Sequence, residues 1–302
     1  MALSCFRYPI SPKVVAIATD KAIRPPLATF PDPVNLSGAI QPQYGQDITY
    51  GYGRAAPGKE DVGATPDILK PKMRKLLTVF ASGDRSGMAT RLFDAFLQAS
   101  GHPVTYFDNP ALNAAIATHP NIRFFCDAAL SAPNLLKKSP PGAIRIHQAL
   151  KKAGWDITKI QAPTDLGVPA FNQGLQTLRT GDFDNGLGLM INGVQHAYVV
   201  ATHYFHDKTA NCYCIRLKYI FYDVFGLDDE DLRKNGAASD FSGVADAVSR
   251  SVPQLSPFRE PIVSGFQAGV GITAWWQLQH QHNYAPLVTR AIVTKEYVAP
   301  AQ

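Results

Sequence analysis

The stretch that most restricts the fold is residues 189–231, where polar and apolar residues alternate through two long runs. The runs are separated by the short polar sequence DKTA at positions 207–210, a composition typical of a tight turn. Because side chains alternate between the two faces of a strand, this pattern predicts a long antiparallel hairpin. A turn at 207–210 would place Tyr204 opposite Tyr213 and His196 opposite Phe221.

The two faces of this predicted hairpin differ in polarity. One face is aromatic and apolar and is expected to seal against a core; it consists of Val194, His196, Tyr198, Val200, Thr202, Tyr204, Tyr213, Ile215, Leu217, Tyr219 and Phe221. The other face is only half apolar and includes Gln195, His203, Cys214, Arg216 and Lys218. We therefore expect any chemistry to lie near one end of the hairpin.

The rest of the chain predicts helices before the hairpin and strands after it. Residues 1–64 are rich in Pro, Gly and Tyr and predict an extended arm, whereas 65–180 carry helical apolar periodicity, with starts at Thr65-Pro66 and Asn109-Pro110. Residues 181–302 predict a β-rich region that includes a strand near 187–191, a helix at 269–282 and a closing strand at 287–298. The class predicted is α+β: a helical N-terminal and middle region followed by an antiparallel sheet with a long central hairpin.

Composition excludes several functional classes. The chain has 302 residues, of which 46% are hydrophobic and 18% charged, and its net charge of +5 is dispersed. No zinc-finger spacing, RNP-like aromatic motif or basic tail is present, so nucleic acid is not an expected partner. No stretch is long enough for a membrane span or for a signal-peptide core. The four cysteines have no framework spacing, which favours a compartment that keeps thiols reduced.

Standard catalytic signatures are missing: there is no P-loop, no G-x-S-x-G, no H-E-x-x-H and no paired C-x-x-C. His203 and His206 would point to opposite faces of a strand, so no metal site is predicted. His203 and Cys214 are expected to be cross-strand neighbours, and a histidine beside a thiol can produce a nucleophile. The alternative is a small buried thiol packed against an imidazole.

A second candidate is a histidine–carboxylate pair at the open end of the hairpin. His196 is expected to lie diagonal to Asp223, which could orient the imidazole for general-base work. Arg216 would serve as an anion contact, with Tyr198 and Tyr219 as further substrate-binding residues. The alternative is that His196 and Asp223 are satisfied polar groups where the strands leave the core.

The acidic run 226–231 (GLDDED) also has two interpretations. Asp228 can cap a helix whose first turn is acidic, with Arg233 and Lys234 following. The run could instead gather a divalent cation, although it lacks the alternation and glycine of an EF-hand loop. The helix start is the favoured prediction.

Several of these segments resemble an uncharacterised proteobacterial family, a domain of unknown function found among polymorphic-toxin and type VI secretion effector candidates. The similar segments are 186–191 (GLGLMI), 219–231 (YIFYDVFGLDDED), 275–280 (WWQLQH) and 284–289 (YAPLVT), within about residues 85–297. The F-G-L-D-x-x-D block is the most specific. Where the family pattern has Asp-Thr before the hairpin, this chain has Val194-Gln195, and no catalytic residues transfer from the family.

The resemblance implies an antibacterial effector that is cytoplasmic in the producing cell and enters a target cell without a cleavable signal peptide. It implies as partners an immunity protein and a component of the secretion machinery. As an enzyme, it would hydrolyse an envelope precursor or a lipid-linked phosphate, with no cofactor identified. The alternative is a non-enzymatic adaptor or neutralising module of a secretion locus, whose N-terminal arm docks on another protein.

Overall fold

The fold is α+β, as the sequence predicts. The structure, a computed structural model, describes residues 5–20, 41–55, 63–128, 130, 145–171, 177, 182, 184–236 and 260–301. Those residues form six strands, β1 (Pro9–Thr19), β2 (Thr105–Asp108), β3 (Thr164–Gly167), β4 (His196–Asp207), β5 (Cys212–Phe225) and β6 (Leu287–Pro300). They also form eight helices, α1 (Pro66–Phe80), α2 (Met88–Leu97), α3 (Pro110–Ala117), α4 (Pro120–Ala128), α5 (Arg145–Lys152), α6 (Leu187–Met190), α7 (Asp229–Asn235) and α8 (Glu260–Gln281).

All six strands belong to one sheet, in the order β2-β6-β5-β4-β1-β3. The four inner strands are antiparallel, and the short edge strands β2 and β3 pair in parallel with β6 and β1. The inner strand β1 comes from the region expected to be an extended arm, and the edge strands come from the region expected to be mainly helical. The long β4–β5 hairpin is confirmed and lies at the centre of the sheet.

The register of this hairpin differs from the predicted one. Asp207 pairs with Cys212, and the Asp207 side chain accepts hydrogen bonds from the backbone of Thr209 and Ala210, so the turn lies one residue later. Further along, Ala201 pairs with Leu217 and His203 with Arg216, which leaves Thr202 as a bulge residue. Because side chains alternate, one extra residue moves every earlier side chain of β4 to the opposite face.

The bulge separates two groups that the sequence placed on one face. Tyr204 shares the helix-covered face with Tyr213 and Tyr219, in the main core. Tyr198 and Val200 lie on the other face, in a smaller core with Tyr222 and Ile220. Residues 41–55 cover part of this second face, since Tyr44 and Ile48 belong to the same smaller core.

Helix boundaries follow their local signals where those signals are strong. Asn109 accepts a hydrogen bond from the Ala111 backbone at the start of α3, as the Asn-Pro sequence predicts. Asp228 caps α7 in a full capping box with Asp231, which confirms the helix start in the acidic run. The strand predicted near 187–191 is wrong, because Leu187–Met190 form one helical turn after Gly186, whose φ is 83°.

Among the described residues, no helix combines the length and apolar character needed to cross a bilayer.

The cysteines differ in oxidation state. Cys214 is disulfide-bonded, whereas Cys126 and Cys212 are free. The expectation that the cysteines stay reduced is therefore corrected at Cys214.

Candidate functional site

The polar residues at the open end of the hairpin are held by residues 41–55. The Gln43 carbonyl accepts a hydrogen bond from His196 Nε2 at 2.6 Å, and Asp47 Oδ2 accepts one from Gln195 Nε2 at 2.7 Å. From α8, Gln279 Nε2 donates to the carbonyls of Asp47 and Thr49 at 2.9 and 2.7 Å. The segment is thus tied to both the sheet and the last helix.

The same helix end holds the loop that follows β5. The Gln279 side chain accepts from the Leu227 backbone N–H at 3.0 Å, and His280 Nε2 donates to the Leu227 carbonyl at 2.8 Å. A Cβ at Gly226 would overlap the Asp47 carbonyl oxygen, so the loop can pass there only with glycine. The F-G-L-D and W-W-Q-L-Q-H segments therefore meet each other and residues 41–55 at this end of the sheet.

Asp223 is the central titratable group at this end. Its Oδ2 accepts hydrogen bonds from the backbone of Asn192 at 2.8 Å and Gly193 at 3.1 Å, and its Oδ1 accepts from the Val224 backbone at 2.9 Å. Burial raises the pKa of Asp223 to about 7, with a contribution from the charge of Asp47, against the lowering effect of the backbone N–H groups. As a residue, Asp223 is partly exposed. At neutral pH this carboxyl can both donate and accept a proton.

Asp47 is the second carboxyl at this end. Burial, followed by the charges of Asp228 and Asp20, raises its pKa, while its backbone hydrogen bond and Gln195 lower it. Asp47 is also partly exposed. The charge of Asp47 is one of the smaller causes that raise the pKa of Asp223. We refer to Asp47 and Asp223 as the carboxyl pair.

Gln195 adds an unused acceptor beside this pair. Its side chain is nine-tenths buried, and its Oε1 has no hydrogen-bond partner among the residues that the structure describes. The Nε2 of the same amide bonds to Asp47, so Oε1 lies immediately beside that carboxylate. A buried acceptor without a donor is costly and favours a ligand that supplies a hydroxyl or N–H.

The expected His196–Asp223 dyad is not formed. His196 pairs with Tyr222, so its ring lies on the second face of the sheet, while the next residue, Asp223, points to the helix-covered face. His196 is buried beside Tyr44 and Tyr198, and its Nε2 bonds to the Gln43 carbonyl. Burial lowers its pKa, so it holds residues 41–55 in place as a neutral imidazole.

The expected His203–Cys214 neighbours are also separated by register. Cys214 pairs with Phe205, and its disulfide leaves it without a thiol that could act as a nucleophile. His203 lies opposite Arg216 and accepts a hydrogen bond from its Nη1 at 3.1 Å. Burial and then the charge of Arg216 lower the pKa of His203.

Arg216 and the two predicted substrate tyrosines do not share a site. Arg216 donates twice to Glu296 Oε1, at 2.7 and 2.5 Å, so its charge is already paired. Tyr198 lies on the second face, whereas Tyr219 lies in the main core and bonds to the Tyr297 hydroxyl and the Cys126 carbonyl. These contacts give Tyr219 a structural role.

A buried histidine–carboxylate pair that the sequence analysis did not single out lies under the helices. His119 Nε2 donates to Asp182 Oδ2 at 2.7 Å, and Nδ1 accepts from the Asn121 backbone at 3.2 Å. Both ring nitrogens are therefore used, one of them to cap the start of α4. Within the described ranges, no group of three or more His, Cys, Asp or Glu side chains is arranged to hold a metal ion.

Sequence reasoning found Asp223 but missed Asp47 and the role of Gln195. Asp47 lies in a region without periodicity, and nothing in its neighbours indicates that it returns to the hairpin. The chain was compared with protein-family models, with curated proteins and with solved structures, and none of the three comparisons finds a match.

Proposed function

We propose that this protein is an antibacterial effector that hydrolyses a component of the bacterial envelope, with the carboxyl pair as its acid–base groups. The single observation that carries the enzymatic part is the position of two partly exposed carboxyl residues near the open end of the hairpin: Asp47 bonds to the Gln195 side chain, and the Gln195 backbone N–H bonds to the carbonyl of Tyr222, the residue before Asp223. The effector part rests on the family resemblance of the segments that build this same end.

The chemistry requires one carboxyl to hold a proton while the other is ionised. Asp223, with a pKa of about 7, carries a proton in about half of the molecules at neutral pH, and this protonated form can act as the general acid. Asp47 then acts as the general base, and Gln195 orients it through the 2.7 Å hydrogen bond. Two carboxyls in different protonation states are a sufficient acid–base set for hydrolysis.

An effector of this kind is made in the cytoplasm of the producing cell and is delivered into a competitor by a contact-dependent machine. Its partners would be a component of that machine and an immunity protein that protects the producer. An immunity protein acting on the site would need to cover the carboxyl pair.

The test is expression in a bacterium, directed separately to the cytoplasm and the periplasm. We expect growth arrest in the periplasm, relieved by Asp223→Asn at unchanged protein level. Asp94→Asn is the matched control, because Asp94 is an exposed carboxylate paired with Arg74 on the helical side. Arrest that persists in Asp223→Asn would refute the proposed role of this carboxyl.

The alternative is a non-enzymatic binding module. It is favoured by the exposed aromatic side chains of Tyr50 and Tyr52, which are 36% and 74% exposed at the end of residues 41–55. Absence of toxicity in both compartments, with a folded protein, would support this alternative.

A further inference from the structure

The side of β6 that faces away from β5 is only partly covered. There, β2 pairs with β6 at Leu287–Arg290, and Asn113 of α3 accepts a hydrogen bond from the Ile292 backbone N–H at 2.8 Å. Beyond Ile292, no described residue bonds to the β6 backbone on this side. We call this side of residues 294–300 the outer edge. Its exposed residues are Thr294, Glu296, Val298 and Pro300.

The backbone of β6 alternates in direction along this edge. The Ala301 N–H donates to the Asn211 carbonyl at 2.9 Å, on the β5 side, whereas the Ile292 N–H points to the outer side. Because successive residues of a strand point their N–H groups to alternate sides, the odd-numbered residues of β6 bond to β5. Pro300, which has no N–H, occupies an outward position, where it removes no hydrogen bond from the sheet. The outward N–H and C=O groups are those of Thr294, Glu296 and Val298.

An exposed backbone of this kind can accept a further strand. A row of N–H and C=O groups at a sheet edge is a template for an extended segment, which binds through main-chain hydrogen bonds and gains specificity from alternate side chains. Val298 is 54% exposed, although β-branched side chains favour contact with a neighbouring strand. The outer edge therefore fits an extended segment with an apolar residue opposite Val298.

The second face of the sheet carries a positive charge beside this edge. Lys218 of β5 is exposed, and its cross-strand neighbours, Val200 and Thr294, are uncharged. On the same face, the Glu296 carboxylate is already bonded to Arg216. An added strand would lie about 10 Å from β5, a distance that a lysine and a glutamate side chain can span together across the small Thr294. An acidic residue opposite Thr294 would therefore pair with Lys218.

The helix-covered face has charges of both signs beside this edge. Lys295 points to this face, as alternation along β6 requires. The exposed Asp127 of α4 lies on the same side, because the carbonyl of the preceding Cys126 accepts a hydrogen bond from the Tyr297 hydroxyl at 2.9 Å. This face therefore favours neither an acidic nor a basic partner, and Lys218 is the charge that selects one.

A second copy of this chain is a poor occupant of the outer edge. Antiparallel pairing of two copies about a twofold axis uses all three outward N–H groups only when Glu296 lies opposite the same glutamate of the second copy. Like charges directly opposite each other are destabilising. A shift that centres the pairing on Lys295 places two lysines opposite each other instead. The outer edge therefore fits a segment of a different protein.

We propose that the outer edge binds an extended acidic segment of another protein as an added antiparallel strand. The segment has an apolar residue opposite Val298 and, four residues later, an acidic residue opposite Thr294 that pairs with Lys218. This surface includes neither residue of the carboxyl pair, so the inference is independent of the proposed hydrolysis.

The probes are two synthetic peptides, acetylated and amidated at their ends, that differ at one position. The acidic peptide is Thr-Val-Thr-Thr-Thr-Glu-Thr, and the basic peptide has lysine in place of the glutamate. Each is titrated into the full-length chain labelled with nitrogen-15 and followed by NMR. We expect the acidic peptide to shift the amide signals of Thr294, Glu296 and Val298 and to slow their hydrogen exchange. The basic peptide should bind about 5-fold more weakly, because one exposed attractive pair becomes a repulsive one.

Two variants test the backbone and the charge separately. Val298→Pro removes one outward N–H and leaves the bonds to β5 in place, so it should weaken binding of the acidic peptide by about 5-fold. Lys218→Glu, at an exposed position, should reverse the preference and bind the basic peptide more tightly. Lys75→Glu, at an exposed lysine of α1, is the matched control and should keep the preference of the wild type. Thermal melting checks that each variant is folded.

Three results would overturn the proposal. The first is protection of the Thr294, Glu296 and Val298 amides in the free protein that grows with protein concentration, which would show that a second copy occupies the edge. The second is the absence of peptide-induced shifts at these three amides. The third is equal affinity for the two peptides in both the wild type and Lys218→Glu.

Discussion

Replacement of Asp223 by asparagine should change the pH dependence of stability. The pKa of this carboxyl moves from an ordinary 3.8 to about 7 on folding. One pKa unit corresponds to 1.36 kcal/mol, so the shift corresponds to at most about 4 kcal/mol. Because the residue is partly exposed and solvent screens part of this effect, we expect about 2–4 kcal/mol.

The sign follows from the direction of the shift. A carboxyl whose pKa is higher in the folded state contributes stability below its unfolded value, and this contribution is lost as the pH rises through about 7. The asparagine variant has no carboxyl at this position and would show no such loss. The free energy of unfolding of Asp223→Asn, relative to the wild type, should therefore rise by about 2–4 kcal/mol between pH 4 and pH 8.

The assay is urea unfolding of both proteins at four values of pH. In the variant, the NH2 group of the asparagine faces the Val224 backbone N–H, which loses its acceptor. This loss lowers the free energy of unfolding by about 1–3 kcal/mol at every pH. The comparison between variant and wild type therefore uses only the part of their difference that changes with pH. Asp94→Asn should parallel the wild type. A difference between Asp223→Asn and wild type that stays constant from pH 4 to pH 8 would refute the raised pKa and the acid role built on it.

Three further substitutions test the fold that builds the site. Asp228→Ala should destabilise the protein by about 1 kcal/mol through loss of the α7 cap, and Asp228→Asn, which can still cap, should cost much less in the same urea assay. Cys214→Ser should cost about 2–4 kcal/mol relative to the oxidised wild type, whereas Cys212→Ser, which removes a free thiol, should not; equal effects would argue against the disulfide. Gly271→Ala should lower the free energy of unfolding by about 1–3 kcal/mol, because its Cβ would lie 2.6 Å from Leu76 Cγ. In a double-mutant cycle, the same substitution should lower it less when Leu76 is already alanine.

The sequence predicts the elements of this fold better than it predicts their arrangement. Strong local signals mark the start of α3 at Asn109-Pro110 and the start of α7 at Asp228, and both helices begin there. The alternation of the hairpin is equally clear. The edge strands β2 and β3 are four residues each and pair in parallel with distant partners, so no local pattern indicates them.

At the candidate site, a register shift of one residue determines which side chains come together. Thr202 has no property that distinguishes a bulge residue from a paired one, yet it moves His196 to the face opposite Tyr204. The predicted dyad of His196 and Asp223 fails for this reason. The contact between Gln195 and Asp47 joins residues 148 positions apart, which the spacing of residues along the chain cannot indicate.

The most direct test of the carboxyl pair is a titration of its aspartate side chains by carbon-13 NMR of the carboxyl groups. We expect the Asp223 signal to titrate with an apparent pKa near 7, and to shift to lower pH in Asp47→Asn, where the neighbouring negative charge is removed. An Asp223 signal that titrates near its ordinary value of 3.8, or that does not respond to Asp47→Asn, would contradict the account.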